Sequence, residues 1–113
     1  MTEYLQNEIA TEITFHHDSP WFSGHFPDNP ILPGIAQLST VFDAVRNATK
    51  NELKIFEFKR VKFKKLIRPE DKLEIKAIRD KKNASTYSFM ISVKGEVVCN
   101  GIMITKSEIN VSM

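Results

Sequence analysis

Gly24-His25-Phe26-Pro27-Asp28-Asn29-Pro30-Ile31-Leu32-Pro33-Gly34 places three prolines between two glycines. Fixed φ angles and missing N–H donors exclude regular helix and central strand from this run, which reads as a long, conformationally restricted loop. Ordered loops of this length in a small domain usually carry function. Immediately beyond it, Ile35, Leu38, Phe42 and Val45 recur at steps of three and four, and Pro33 stands where a first helical turn tolerates it. The spacing predicts a helix over residues 33–49. Upstream, Ile9, Ile13 and Phe15 among Thr and Glu predict a half-buried strand over residues 8–15.

Downstream the helical period vanishes. Strands are expected over residues 54–66, 72–80, 85–94 and 96–106. Turn residues separate them: Arg68-Pro69-Glu70-Asp71, Asp80-Lys81-Lys82-Asn83, and Lys94-Gly95-Glu96, the last short enough for a hairpin. Leu73, Ile75 and Ala77 alternate in one strand, and Phe89, Ile91 and Val93 in the next. Phe56 and Phe58 share one phase while Val61 and Phe63 share the other, so a bulge near Lys59-Arg60 would bring all four to one face. One long helix among antiparallel strands must bury its apolar stripe against the sheet. The fold class is therefore α+β, an antiparallel sheet wrapped around a single helix, in one domain spanning residues 1–113.

At 113 residues the chain suffices for one core, and 42% apolar with 27% charged residues is ordinary for a globular domain, which excludes fibrous and disordered classes. No run approaches the roughly 18 apolar residues of a membrane span, and residues 1–7 lack the basic start and apolar core of a signal peptide. A cytoplasmic protein is expected. Cys99 is the sole cysteine and lies in a strand-like run, which suits a small buried side chain better than a nucleophile. Lys59, Arg60, Lys62, Lys64, Lys65 and Arg68 fall within ten residues that contain no acid. Such a patch is either the solvated face of a strand or a docking surface for an acidic partner. Nucleic acid is the weaker partner, because Phe56, Phe58 and Phe63 occupy core-like positions instead of standing free to stack on bases.

His25 is the leading candidate for chemistry, since its surrounding prolines fix the imidazole as a general base requires. Gly34, nine residues on, can present a backbone N–H at the positive end of the helix dipole, where a developing oxyanion would be stabilised. His16 and His17, beside Asp18, would point to opposite faces if they lay on a strand, so no metal site is expected there. Trp21 and Phe22 are expected to pack over the loop or to line a substrate channel.

The run Gly24-His25-Phe26-Pro27, Pro30 and Pro33-Gly34 resembles the signature of the 3-hydroxyacyl-acyl carrier protein dehydratases. Phe58-Lys59-Arg60-Val61-Lys62-Phe63 and Arg68-Pro69-Glu70-Asp71-Lys72-Leu73 look like that family's second segment, where a Pro-Gly-Asp turn precedes a strand. Leu32-Pro33-Gly34-Ile35-Ala36-Gln37-Leu38 is similar to a branch of small dehydratase-like proteins associated with specialised acyl chains. The resemblance implies a hot-dog fold working as a dimer, with the active site at the subunit interface. It implies loss of water from a 3-hydroxyacyl thioester to give a trans-2-enoyl thioester, without metal or organic cofactor. His25 would be the base and Gly34 would bind the thioester carbonyl. Phe22, Phe26, Pro33 and Ser39 would line the acyl site, and Arg60, Lys62, Lys64 and Lys65 would dock an acidic acyl carrier protein.

One position departs from the pattern. The family's catalytic Glu or Asp, five residues after Gly34, is Ser39, which cannot donate a proton as a carboxylic acid does. Asp43, one turn on, lies on nearly the same helix face but is displaced by about 5.4 Å of rise. Three expectations follow: a homodimer using Asp43, a non-catalytic acyl-thioester or carrier-binding subunit, or a heterodimer in which another hot-dog chain supplies the acid. A thioesterase shares the fold, but the intact His-Phe-Pro loop points away from it.

Overall fold

The computed structural model describes residues 8–22, 30–49 and 53–107. Its elements are β1 (Glu8–Thr14), a 3-10 turn (Pro20–Phe22), α1 (Gly34–Thr49), β2 (Leu53–Phe63), β3 (Lys72–Arg79), β4 (Thr86–Val93) and β5 (Glu96–Ser107). They follow the expected order, with no end shifted by more than three residues. All pairings are antiparallel, in the sheet order β1-β3-β4-β5-β2. The helix lies against β1, β2 and β3.

Alternation in the sequence becomes two faces in the sheet. Leu73, Ile75 and Ala77 of β3 and Tyr87, Phe89 and Ile91 of β4 are buried, while Glu74, Lys76, Ser88 and Met90 between them are exposed. Cys99 and Met103 of β5 extend this inner layer, and Phe58 meets Phe89 edge-on at 5.9 Å. Truncating Ile75 or Ile91 to Ala would cost about 2–5 kcal/mol through the cavity left behind. Burial pushes the Cys99 thiol up to about 11, which keeps it a protonated packing group.

The turns follow their chemistry. Lys94 and Gly95 adopt φ of 53° and 82°, as a two-residue hairpin between Val93 and Glu96 demands. Asp80 Oδ2 accepts from the N–H groups of Lys82 and Asn83 at 3.0 and 2.9 Å, which closes the β3–β4 turn.

The bulge expected near Lys59-Arg60 is present: the β2–β5 register shifts between Lys59 and Lys62, with Arg60 at φ 55°. It does not place all four apolar residues alike. Phe58 and Val61 pack against the core, whereas Phe63 is 52% exposed and lies over Gly34 at the start of the helix; the side chain of Phe56 lies outside the described residues.

The helix stripe also needs correction. Ala36, Gln37, Thr40, Val41 and Val45 face the sheet, whereas Ile35 is 68% exposed and Leu38 and Phe42 are half-buried. Val45 of the expected stripe is fully buried, and Leu38 and Phe42 pack against the core from its flank. The smaller residues face inward, where β1, β2 and β3 approach closely. Ile35 alone of the expected stripe stands well out from the core.

Candidate active site

The loop meets the fold at its C-terminal end. Leu32 is buried, and its N–H donates to the Ile67 carbonyl at 2.7 Å, fastening the loop to the link between β2 and β3. Pro33 O accepts from the N–H groups of Ala36 and Gln37 at 3.1 and 3.2 Å. The helix's own bonds therefore begin at Ala36, leaving the N–H groups of Gly34 and Ile35 at the positive end of the dipole. His25 and Phe26, expected as base and acyl contact, lie outside the described residues.

Gly34 lets the Phe63 ring approach the backbone closely. A Cβ there would stand 2.8 Å from Cζ of Phe63, closer than real carbon contacts allow. Ile31, Leu32, Pro33, Gly34, Phe63 and Leu66 line a cleft of about 350 Å³ with Gln37, Lys64 and Lys65 at its edges. Gln37 was not singled out by the sequence. It is buried, its Nε2 donates to Leu32 O at 3.1 Å, and its Oε1 finds no donor among the described residues. A lone amide in the inward phase of an apolar helix was the available signal, since such a group must bond to backbone nearby.

Ser39 and Asp43 line a different cavity, of about 260 Å³, with Thr11, Ile13, Phe15, Trp21, Thr40 and Asn47. Ser39, Asp43 and Asn47 succeed one another at four-residue steps and so share a helix face. Asp43 is exposed, and its Oδ1 accepts from Arg46 Nη2 at 3.1 Å. Within one chain the Pro33–Gly34 cleft and the Ser39–Asp43 cavity share none of their lining residues. Phe22, expected at the acyl site, is 7% exposed and belongs to the core; Trp21, its neighbour on the 3-10 turn, forms the cavity wall.

The basic run divides. Lys59 and Lys62 pair with Ile102 and Asn100, on the outer face of the sheet. Arg60 and Lys62 rim a depression there with Met90, Asn100 and Ile102. Lys64 and Lys65 border the Gly34 cleft instead, with Lys65 paired to Glu96. The division falls where β2 ends: Lys62 lies on the strand, whereas Lys64 and Lys65 follow its last residue, Phe63.

A second cluster lies just beyond β1. His16 and His17 lie beyond the end of β1, so strand alternation does not apply and both rings reach Glu70. Oε1 of Glu70 meets Nδ1 of His16 at 2.9 Å, and Oε2 meets the N–H and Nδ1 of His17 at 2.8 and 3.1 Å. The hydrogen bond from His16, followed by the His17 backbone N–H, holds the Glu70 carboxyl at about 2, and Glu70 raises His16 above its usual value.

A model of the ApeI-like dehydratases, described as ApeI dehydratase, matches residues 2–102. The 3-hydroxyacyl-[acyl-carrier-protein] dehydratase FabZ of Histophilus somni is 32% identical over 110 residues, 88% of this chain and 73% of the relative. Its counterpart from Shewanella woodyi is 30% identical over 105 residues, 82% of this chain and 69% of the relative. Among solved structures, the dehydratase heterocomplex ApeI:P of Xenorhabdus doucetiae superposes with a TM-score of 0.79 at 25% identity, covering 88% of each chain. A protein of Erwinia carotovora subsp. atroseptica reaches the same TM-score at 21% identity, covering 91% of this chain and 86% of its own, which speaks for the fold alone. The restricted loop closing on a helix N-terminus, the sheet curled about that helix and these matches agree: the chain belongs to the ApeI-like dehydratases, a hot-dog family of 3-hydroxyacyl thioester dehydratase-like proteins.

Proposed function

We propose that this chain provides the base and oxyanion half of a dehydratase site, and that a second hot-dog chain provides the acid. His25 removes the α-proton of a 3-hydroxyacyl thioester while the Gly34 N–H stabilises the enolate oxygen. A carboxylic acid from the partner protonates the departing hydroxyl, leaving a trans-2-enoyl thioester and water. The observation that carries this reading is the pairing of Ser39, where the acid should stand, with the separation of Gly34 from Ser39 and Asp43 on two cavities. A site divided in this way is completed by apposing two chains. Ile35, 68% exposed on α1, gives such a partner an apolar side chain to cover. The heterocomplex of the Xenorhabdus relative favours two unlike chains over a homodimer relying on Asp43.

The acyl group is delivered in the cytoplasm on an acidic carrier protein, steered by the basic run. Lys64 and Lys65, bordering the cleft, act near the thioester, and Arg60 and Lys62 act at longer range. The test is reversible hydration of carrier-linked trans-2-enoyl thioesters by the purified chain, alone and mixed with a hot-dog protein that has a carboxylate on its central helix. Turnover is expected in the mixture and little in the single chain. Full turnover by the single chain, undiminished by Asp43→Asn, would overturn the two-chain reading, and release of free thiol without enoyl chemistry would substitute a thioesterase.

A further inference from the structure

The Arg68-Pro69-Glu70-Asp71 turn contains a residue that its backbone does not favour. Glu70 has φ 73°, in the left-handed region where glycine is at ease and a side chain costs about 1–2 kcal/mol. Neighbouring bonds hold the turn in that shape: Asp71 Oδ2 accepts from the Arg68 N–H at 2.8 Å, and the Glu70 N–H donates to Phe15 O at 2.8 Å. Glycine would serve the turn with less strain. What glycine lacks is a carboxylate, and that of Glu70 accepts from both His16 and His17.

These contacts tie the turn to three successive residues, Phe15, His16 and His17. The bonding then continues along the chain. Ser19 N–H donates to His16 O at 2.9 Å, Phe22 N–H to Ser19 O at 3.0 Å, and Trp21 N–H to Ser19 Oγ at 3.3 Å. Trp21 is the wall of the cavity that contains Ser39 and Asp43, and Phe22 is anchored in the core. A strained residue whose bonds lead to a cavity wall is explained by the placement of that wall.

We infer that Glu70 is a positioning residue: through His16 and His17 it sets the 3-10 turn and thereby fixes Trp21 against the Ser39–Asp43 cavity. The inference rests on the proposed dehydratase reading only in taking that cavity as part of the substrate's surroundings.

Trp21 is the sole tryptophan in the sequence, so its fluorescence reports on this wall without any assay of activity. Glu70→Gly relieves the backbone strain while removing the carboxylate, and it should fold. The expected result is a red-shifted Trp21 emission with greater acrylamide quenching at nearly unchanged Tm. Glu70→Gln, which keeps one acceptor oxygen, should shift less and provides the measurement if the glycine variant fails to fold. The His16→Gln/His17→Gln variant should reproduce the shift, and adding Glu70→Gly to it should add nothing, because all three residues act through one connection. Unchanged emission in a folded Glu70→Gly protein, or shifts that simply add, would overturn the inference. In an active preparation, Glu70→Gly should also lower kcat/KM on the order of tenfold, as displaced positioning groups do. A mixture with the partner chain that stays inert toward enoyl thioesters would count against the dehydratase reading and leave the fluorescence result to decide this one.

Discussion

The Pro33–Gly34 end of α1 and its Ser39–Asp43 face are about 7.5 Å apart in axial rise, yet they differ in construction. At the first, the chain is restrained on every side: Leu32 is bonded to Ile67, Gln37 to Leu32, and the Phe63 ring occupies the space over Gly34. At the second, Ser39 is half-buried without a carboxylate, and Asp43 faces outward toward Arg46. A preorganised half beside an open half is the form of a site that a second chain completes. The contrast predicts that substitutions at the first end lower turnover in any assembly, whereas those on the second face change which assembly works.

The largest effect should come from His25→Ala, which is expected to lower turnover of the assembled enzyme by about 10²–10⁴-fold as loss of a general base does. Stability, followed by Tm, should barely move. Gly34→Ala comes next. The exposed Phe63 ring can swing away from the new methyl, so folding survives, but the methyl crowds the position of the thioester carbonyl, and kcat should fall by about 10²-fold. Gly101→Ala is the informative contrast. Its Cβ would meet the buried Phe89 ring at 2.9 Å and the Val61 backbone at 3.1 Å, neither of which can yield freely, so it should cost about 1–3 kcal/mol of stability with no particular loss of rate in the folded fraction.

The open face should respond in the opposite direction. Ser39→Glu restores a carboxylic acid at the expected position and should raise hydration of enoyl thioesters by the chain alone at least about tenfold. In the two-chain enzyme it should change little. A gain in neither preparation would break the comparison between the two ends.

Much of this was legible in the sequence, for separable reasons. The end of the loop at residues 30–33, the helix and the four later strands follow from proline content and from a change in hydrophobic period, which are local properties. Ile35 was misplaced because periodicity alone cannot say how far the sheet wraps around the helix: Val45 is buried and Leu38 and Phe42 pack against the core, but Ile35 stands outside it. Gln37 and Glu70 were missed because their roles lie in bonds across the fold: a buried amide fastening a loop, and a carboxylate reaching residues more than fifty positions away. The division of the basic run after Lys62 likewise depends on which cavity each lysine borders in the fold.

That division gives the next test, smaller in size. Lys64→Glu should raise KM for carrier-linked substrate several-fold at low salt, whereas Lys62→Glu, on the outer face of the sheet, should do less, and both effects should shrink as salt is added. Equal effects would mean that the carrier touches both faces.

The smallest effect is the pH dependence contributed by the Glu70 cluster, and its sign is fixed. Glu70 is lowered from 4.5 to about 2, so its contribution is complete above pH 4.5 and is lost as pH falls toward 2. His16 is raised above 6.5, so its contribution is complete below 6.5 and is lost as pH rises through that higher value. Asp18, on the same loop, adds to the rise of His16 and does not change its direction. The two windows overlap between about pH 4.5 and 6.5, where the cluster contributes most. Comparing Tm of wild type and Glu70→Gly across pH 3–9 should therefore give a difference that favours wild type most within that interval and declines on both sides. The groups are exposed, so solvent screening keeps the difference small, and added salt should flatten it. A difference independent of pH would mean that Glu70 holds the loop through its neutral hydrogen bonds alone.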